Sequence, residues 1–249
     1  MNKEPLLNTQ ISNVSMEESL HEIERRIFAK EKSYVVAVNV DVVMKMEKDD
    51  YLKEITDKAD IVLVDGKPLV WIAKLYKRPV KEKISGSDLV PLLCEGAARK
   101  GHSIFILGGK EGIAKQAKRK LEQKHPEIKI VGEYSPKFGF EKDSNEVEKV
   151  NGIISAAKPD ILIVCLGCPK QEKFIYENYE KYEATVSVCA GATVDFLAGN
   201  VKRAPRWMSN AGLEWFYRFI KEPRRMFKRY FIDDVKIVGL IIKYAKVKN

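Results

Sequence analysis

The feature that most constrains the fold is a series of six short, β-branched apolar runs along the chain. Each run is apolar on both faces, which is typical of strands buried in a parallel sheet. The runs are Tyr34–Val40, Asp60–Val64, Ser103–Leu107, Ile128–Val131, Asp160–Leu166 and Thr185–Ala190. Segments with helical periodicity lie between most of them, at Pro68–Tyr76, Asp88–Lys100, Gly112–His125, Asn145–Ala157 and Lys170–Tyr179. This alternation predicts an α/β fold with a doubly wound, mainly parallel sheet covered by helices on both sides.

Polar or glycine-bearing turns follow five of the six runs. Because the carboxyl ends of parallel strands meet at one edge of the sheet, we expect these turns to lie close together, where doubly wound folds bind ligands. The turns are Asn39-Val40-Asp41, Asp65-Gly66-Lys67-Pro68, Gly108-Gly109-Lys110-Glu111-Gly112, Gly167-Cys168-Pro169-Lys170-Gln171-Glu172 and Gly191-Ala192-Thr193-Val194-Asp195.

Two of these turns suggest specific chemistry. Gly108, Gly109 and Gly112 join a strand to a helix, where a helix N-terminus can bind a diphosphate. Their spacing fits neither the dinucleotide fingerprint nor a P-loop, and a tight turn is the plain alternative. Asp65 ends a strand before a glycine, a position that suits a general base facing a cleft. An ordinary Asp-Gly turn explains the same residues.

The cysteines and histidines do not form a recognisable metal set. Cys165 and Cys168 have the spacing of a redox or metal pair, but Cys94 and Cys189 supply no second pair. A structural zinc ion needs four ligands, and only three histidines exist in the chain. We therefore expect cysteines that pack in the interior, and no bound metal or other cofactor.

The net charge of +9 resides in residues 201–249, which hold thirteen cationic and four acidic side chains. Residues 1–200 are neutral as a whole. The chain is therefore predicted to comprise a core, 1–200, and a basic helical appendage, 201–249. Such an asymmetry indicates that the appendage meets an anionic surface, either a membrane or a nucleic acid.

Aromatic side chains at helical spacing favour the membrane. Phe216, Phe219 and Ile220 form one apolar stripe, and Phe227, Tyr230 and Phe231 form a second. Basic helices rich in Trp and Phe are typical of membrane interfaces, where each Lys or Arg near an anionic leaflet contributes about 1 kcal/mol. The alternatives are nucleic acid, for which no motif is present, and packing on the protein's own core. A surface of this kind also suits a homo-oligomer.

Composition and length exclude several other classes. A hydrophobic content of 45% allows a sizeable core and argues against a disordered protein. No apolar run approaches the roughly 18 residues of a membrane span, and the N-terminus lacks the apolar segment of a secretory signal. We expect a cytoplasmic protein, peripherally associated with the inner face of the cell membrane.

Seven stretches of the chain together resemble the WecG/TagA/CpsF family of bacterial glycosyltransferases, most closely its TagA branch. Each stretch is weak alone, but all seven occur in the family's order over roughly residues 10–220. They are Val38–Asp41, Ala59–Gly66, Ser85–Leu89, Phe105–Gly109, Leu166–Glu172, Gly191–Gly199 and Arg203–Trp207.

The resemblance implies a Rossmann-like core, a C-terminal appendage that approaches the membrane, and an inverting, metal-independent transfer. The donor would be UDP-N-acetylmannosamine, and the acceptor undecaprenyl-diphosphate-linked N-acetylglucosamine. The β-1,4 product would belong to wall teichoic acid biosynthesis.

The resemblance also implies roles for individual residues. Asp65 would deprotonate the acceptor's 4-hydroxyl as that oxygen attacks the anomeric carbon. Without a metal, fixed cations would stabilise the leaving diphosphate, and Arg218 and Arg224 of the appendage are the natural catalytic suppliers, with Arg225 binding nearby. The other residues expected to bind substrate are Ala37, Asn39, Gly66, Lys83, Gly86, Ser87, Asp88, Gly108, Gly109, Gly167, Pro169, Lys170, Gln171, Gly191 and Asp195.

Two residues depart from the family pattern. Ala37 stands where the family usually has threonine, so a hydroxyl that could contact substrate is missing. Either the protein is impaired, or the hydroxyl is dispensable, or the chain is an altered version. Lys83 replaces an arginine and loses bidentate phosphate binding. A nucleotide-sugar-binding or lipid-binding protein without activity, and a transferase for another sugar such as a glucosyl or N-acetylmannosaminuronosyl group, are the alternative functions.

Overall fold

The computed structural model describes residues 2–205, 208 and 212–246, apart from the side chains of Arg225 and Lys246. The strands are β1 Lys3–Leu6, β2 Thr9–Ser12, β3 Ser33–Val38, β4 Ile61–Val64, β5 Ser103–Gly108, β6 Lys129–Tyr134, β7 Ile161–Cys165 and β8 Val186–Cys189. Among the described residues, six parallel strands form the central sheet in the spatial order β4-β3-β8-β7-β5-β6, and β1 and β2 form a separate antiparallel hairpin.

All six predicted strands and all five predicted helices are present, and the doubly wound α/β fold is confirmed. The core helices are α1 Met16–Ala29, α2 Val40–Met46, α3 Asp50–Lys58, α4 Lys67–Leu75, α5 Gly86–Lys100, α6 Ile113–Lys124, α7 Ser144–Ala157, α8 Lys170–Asn178 and α9 Thr193–Leu197. The appendage comprises α10 Glu214–Lys221, α11 Pro223–Phe227, a π-helical segment Lys228–Asp233, a 3-10 turn Asp234–Lys236 and α12 Ile237–Lys246.

The first predicted strand is two residues too long. The sequence predicts that β3 continues to Val40, whereas β3 ends at Val38 and Val40 begins α2. Asn39 causes the change, because its side-chain Oδ1 accepts a hydrogen bond of 3.1 Å from the N–H of Val42 and caps the new helix.

The central sheet separates two hydrophobic layers. Alternate side chains of each strand point to opposite faces, as in the pair Val35 and Val36. Helices α2, α3, α4, α7 and α8 cover one face, and α1, α5, α6 and α9 cover the other. The strands are buried on both faces, which explains why their sequences are continuously apolar.

The appendage packs on the first of these layers. Leu240 of α12 is buried in the same cluster as α2 and α4, and Ile237, Ile241 and Tyr244 pack against that cluster. The hydroxyl of Tyr76 donates a hydrogen bond of 2.8 Å to the backbone carbonyl of Ile241. The last helix is therefore an integral part of the α4 side of the molecule.

Candidate active site

The strand order places a topological switch point between β5 and β7. From β5 the chain crosses to β6 on one side, whereas from β7 it crosses to β8 on the other. Their following loops therefore diverge and leave a crevice at the carboxyl edge of the sheet. The turns that begin at Gly108 and Gly167 follow these two strands and border this crevice, as the sequence predicts.

Asp65 lies at the same edge, directly after β4. Its backbone N–H donates a 2.8 Å hydrogen bond to the carbonyl of Val38, which holds it beside the end of β3. The Asn39 side chain hydrogen-bonds the Asp65 carboxyl group. Because the Oδ1 atom of Asn39 already caps α2, its amide nitrogen is the donor to Asp65.

Burial has the largest influence on Asp65 and raises the pKa of its carboxyl group above the ordinary value. The positive charge of Arg218 opposes this shift, the negative charge of Glu214 reinforces it, and Lys83 opposes it more weakly. A carboxylate with a raised pKa is a stronger base once ionised, which suits proton abstraction from a hydroxyl group.

Two of these neighbours, Arg218 and Glu214, belong to the appendage helix α10. Arg218 Nη2 lies 3.0 Å from Glu214 Oε1, and the guanidinium carbon lies 5.7 Å from the centre of the Phe196 ring in the core. The structure therefore brings one predicted catalytic arginine to the predicted base. Arg224 is exposed on α11 and is not among the main influences on the pKa of Asp65. The predicted Arg225 contact lies outside the described side chains.

A polar network around Asp88 adjoins Asp65. Asp88 Oδ2 lies 2.6 Å from both Lys83 Nζ and Ser85 Oγ, and its Oδ1 lies 2.5 Å from Arg203 Nη2. Burial alone raises the pKa of Asp88, but hydrogen bonds from Arg203, Lys83 and Ser85 outweigh it and hold the pKa well below the ordinary value. Ser87 contacts this network, since its hydroxyl lies 3.0 Å from that of Ser85.

Two residues that the sequence assigns to substrate binding, Lys83 and Asp88, bind each other in this network. Lys83 is neutralised by Asp88, so its cation is already paired before any phosphate arrives. Arg203 of the appendage, which sequence reasoning placed only in a family motif, is the second cation on Asp88. Gly86 supplies space, because a Cβ there would lie 3.3 Å from the backbone of Ala190.

Gly108 and Gly109 are required by the backbone. Both have positive φ, 112° and 78°, and a Cβ on Gly108 would collide with the carbonyl group of Cys165 on the neighbouring strand. Gly109 donates its backbone N–H to that carbonyl oxygen at 3.1 Å. The tight-turn explanation therefore accounts for both glycines, and a role in phosphate binding stays a prediction.

Gln171 joins the two loops that follow β7 and β8. Its Oε1 accepts hydrogen bonds from the backbone N–H groups of Gly167, at 3.3 Å, and Gly191, at 3.0 Å. Its Nε2 donates to Glu172 Oε1 at 2.8 Å. The amide of Gln171 thus fixes the distance between two loops of the crevice, a role that a substrate-binding assignment alone misses.

The remaining predicted residues lie at or near the same edge. Ala37 is half-buried near the end of β3, and Gly66, with φ 99°, begins α4. Pro169 follows a cis peptide bond at the start of α8, and Asp195 is half-buried in α9. Lys170 Nζ lies 2.6 Å from Glu141 Oε1 and 3.9 Å from the centre of the exposed Phe138 ring.

A polar contact that sequence reasoning missed connects the appendage to α2. Arg229 Nε lies 3.9 Å from Asp41 Oδ1 and 3.7 Å from Asp234 Oδ2. Burial raises the pKa of Asp234 to about 6, against the opposing charge of Arg229. We call Arg229, Asp41 and Asp234 the appendage latch. No sequence signal marks it, because Arg229 is one of several evenly spaced cations.

All four cysteines are free thiols, and Cys94, Cys165 and Cys189 are buried. In the part of the chain that the structure describes, no group of three or more His, Cys, Asp or Glu side chains is arranged to hold a metal ion. Metal-independent transfer stays a prediction.

Comparison with known proteins decides the family. The family model described as "Glycosyl transferase WecG/TagA/CpsF family" matches residues 4–249, which is nearly the whole chain. The chain belongs to the WecG/TagA/CpsF family of glycosyltransferases. The match includes the appendage, so the family's shared sequence extends beyond the α/β core.

Two curated relatives carry the same name, N-acetylglucosaminyldiphosphoundecaprenol N-acetyl-beta-D-mannosaminyltransferase. The protein from Bacillus subtilis (strain 168) is 32% identical over 245 residues, covering 98% of this chain and 91% of the relative. The one from Bacillus spizizenii (strain ATCC 23059 / NRRL B-14472 / W23) is 30% identical over 214 residues, covering 86% of this chain and 80% of the relative. Both names describe the transfer of an N-acetylmannosaminyl group to N-acetylglucosaminyldiphosphoundecaprenol by those relatives.

Among the described residues, none of the helices has both the length and the apolar character needed to span a membrane.

Proposed function

We propose that this glycosyltransferase moves N-acetylmannosamine from UDP-N-acetylmannosamine to undecaprenyl-diphosphate-linked N-acetylglucosamine, with inversion and without a metal. The relatives' names support the acceptor and the sugar. The product would be a β-1,4 disaccharide of wall teichoic acid biosynthesis. The observation that carries the chemical part is the raised pKa of Asp65 beside the appendage residue Arg218.

In the proposed reaction, Asp65 takes the proton of the acceptor's 4-hydroxyl. The oxygen forms a bond to the anomeric carbon as the bond from that carbon to the diphosphate oxygen breaks, and UDP departs with the electron pair. Attack from the side opposite the leaving group inverts the anomeric centre. Arg218 then lies near the forming charge, and as a permanent cation it can stabilise the departing diphosphate.

The appendage is proposed to have a second role at an anionic membrane surface. Trp215, Phe216 and Ile220 of α10 are exposed, as are Phe227 and Phe231 beyond it. Exposed aromatic residues among cations are typical of proteins that bind the membrane interface. The protein would therefore act peripherally at the inner face of the cell membrane, where a lipid-linked acceptor resides. A nucleic-acid partner is not part of the proposal.

UDP release tests the activity directly. The enzyme is mixed with a water-soluble N-acetylglucosaminyl diphosphate acceptor and, in turn, UDP-N-acetylmannosamine, UDP-N-acetylglucosamine and UDP-glucose, with and without EDTA. Turnover with the first donor alone, undiminished by EDTA, is expected. Preference for another donor would replace the sugar in the proposal, and loss with EDTA would remove metal independence.

Ala37 supports one alternative, a nucleotide-sugar-binding protein with impaired turnover. Ala37 lies near the end of β3 and pairs with Leu63 of the neighbouring strand β4. Comparing the chain with Ala37→Thr separates the two cases. A large gain in turnover with threonine would favour the impaired protein, whereas equal rates would show that the hydroxyl is dispensable.

A further inference from the structure

Helix α4 of the core has an exposed apolar ridge. Trp71 and Leu75 are one helical turn apart and are 57% and 67% exposed. The opposite side of α4 packs on the core through Leu69, Ile72 and Ala73, so the helix is firmly seated. Two large apolar side chains therefore face outwards from a fixed position.

Helix α12 of the appendage is joined to the end of α4 and has an exposed apolar side of its own. Leu240 anchors α12 in the same core cluster as α4, and Tyr76, just beyond α4, donates its hydroxyl to Ile241. The outward side of α12 exposes Val238 and Ile242, which are 56% and 54% accessible. We call Trp71, Leu75, Val238 and Ile242 the apolar platform. It is built jointly by the core and the appendage.

The two chain segments that contain the platform carry only positive formal charges, and one of these, on Lys243 of α12, is paired with Glu47 of the core at 2.6 Å. Residues 67–81 contain five Lys or Arg and no Asp or Glu, and residues 235–249 contain four Lys and no Asp or Glu. Lys74 and Lys77 near α4 and Lys236 near α12 are exposed. Acidic residues elsewhere in residues 1–200 balance the positive charges of residues 67–81, so the core as a whole is neutral.

We propose that the apolar platform is a docking surface for an anionic bilayer leaflet. Apolar side chains ringed by cations match the interface between acyl chains and acidic headgroups. A second copy of the chain fits less well, because a two-fold interface would set the cations of both copies against each other. The inference extends the proposed membrane contact from the appendage onto a core helix, and it rests on the proposed function for its purpose.

The position of α4 gives the docking a consequence for the reaction. Helix α4 begins directly after Asp65 and Gly66, so Trp71 lies about 8 Å along the helix axis from Gly66, at 1.5 Å per residue. Docking through α4 would fix the depth of the proposed base relative to the leaflet. An acceptor sugar held close to the headgroups could then reach Asp65 without leaving its lipid.

Vesicle binding of the full chain tests the proposal. The double variant Trp71→Ser/Leu75→Ser is floated with phosphatidylglycerol–phosphatidylcholine vesicles and with phosphatidylcholine alone. We expect the partition coefficient on anionic vesicles to fall about tenfold or more, given two large apolar side chains lost from the interface. Phe28→Ser is the matched control, because Phe28 is 90% exposed but lies on α1, across the sheet. Unchanged binding by the double variant, or an equal fall in the control, would overturn the proposal.

A second measurement does not depend on whether Trp71→Ser/Leu75→Ser folds. The chain has three tryptophans, and Trp207→Phe/Trp215→Phe leaves Trp71 as the only one. On vesicles with brominated acyl chains, Trp71 fluorescence should shift to the blue and be quenched. Trp71 emission that stays unquenched on vesicle-bound protein would contradict the proposal. A second contradicting result would be a concentration-dependent dimer that Trp71→Ser/Leu75→Ser abolishes without changing vesicle binding.

The same double variant separates this inference from the proposed activity. With a water-soluble acceptor, the double variant should still release UDP, because neither residue is among the groups that influence Asp65. If no form releases UDP but vesicle binding still falls with Trp71→Ser/Leu75→Ser, the activity is refuted and the docking surface stands. If all forms turn over and vesicle binding does not change, the docking surface alone is refuted.

Discussion

The core and the appendage bury their apolar residues to very different degrees. Of the seventeen large apolar side chains that are exposed among the described residues, ten lie between Val201 and Ile242. The core, four times as long, has the other seven and carries no net charge. An exposed apolar surface of this extent is typical of a region that binds a partner or a membrane.

The difference does not make the two regions independent. Arg218 and Glu214 of the appendage influence the pKa of Asp65 in the core, and Arg203 binds Asp88. In the other direction, Tyr76 of the core donates its hydroxyl to the backbone carbonyl of Ile241 in α12. The boundary at residue 200 is therefore a boundary in composition, and both proposed functions extend across it.

The largest effect should come from removing the proposed base in the core. Asp65→Asn keeps the size of the side chain but cannot accept the proton, so UDP release should fall about 10²- to 10⁴-fold. Asp50→Asn, at an exposed carboxylate on α3, is the control and should retain full activity. Turnover that survives in Asp65→Asn would remove general-base catalysis by this residue from the account.

The appendage latch should make docking dependent on pH. Burial raises the pKa of Asp234 to about 6 when the appendage is docked, above its ordinary value, so the docked state holds this proton more tightly. Docking should therefore be strongest at low pH and weaken as the pH rises through about 6. The pKa of Asp234 is also influenced by the charges of Arg229, Asp41, Asp233 and Lys45. All four residues are kept in the variant that tests this prediction.

Fluorescence of Trp215, in a Trp71→Phe/Trp207→Phe background, reports the environment of α10 between pH 5 and 8. We expect a transition near pH 6 in this protein and a flat profile after Asp234→Asn. A transition that persists with asparagine would assign the pH dependence to another group.

A smaller effect should appear in the pH profile of catalysis. The charge of Glu214 raises the pKa of Asp65, so Glu214→Gln should lower that pKa and move the acidic limb of kcat/KM to lower pH. Asp65 is active when ionised, so activity rises with pH through its pKa. Glu222→Gln, in the same appendage, serves as the control. A limb that moves upward, or does not move, would show that the appendage does not tune the base.

The sheet was predictable from sequence because each of its strands is buried on both faces and reads as a continuous apolar run. The β1–β2 hairpin, α1 to α3 and α9 were not predicted. In β1, Glu4 and Pro5 are exposed, so its four residues lack a clear period. The start of α2 depends on one side chain, Asn39, whose capping role is a matter of geometry.

The site was predictable in its location and less so in its contacts. Strand-end turns correctly place Asp65, Asn39 and Gln171 at one edge of the sheet. That Gln171 braces two backbone N–H groups could not be predicted, because the two loops are 24 residues apart in sequence (Gly167 and Gly191). The excess of positive charge in residues 67–81 was missed, because a charge count over residues 1–200 averages it with acidic segments elsewhere.

We propose that Arg218 of the appendage completes the active site of the core. Steady-state UDP release by Arg218→Gln, compared with Lys221→Gln on the same helix, tests this proposal. We expect kcat to fall about 100-fold or more in Arg218→Gln, as for loss of a transition-state cation, and to stay unchanged in Lys221→Gln. Equal activity in both variants, with circular dichroism unchanged, would contradict the claim and leave the appendage a membrane anchor only.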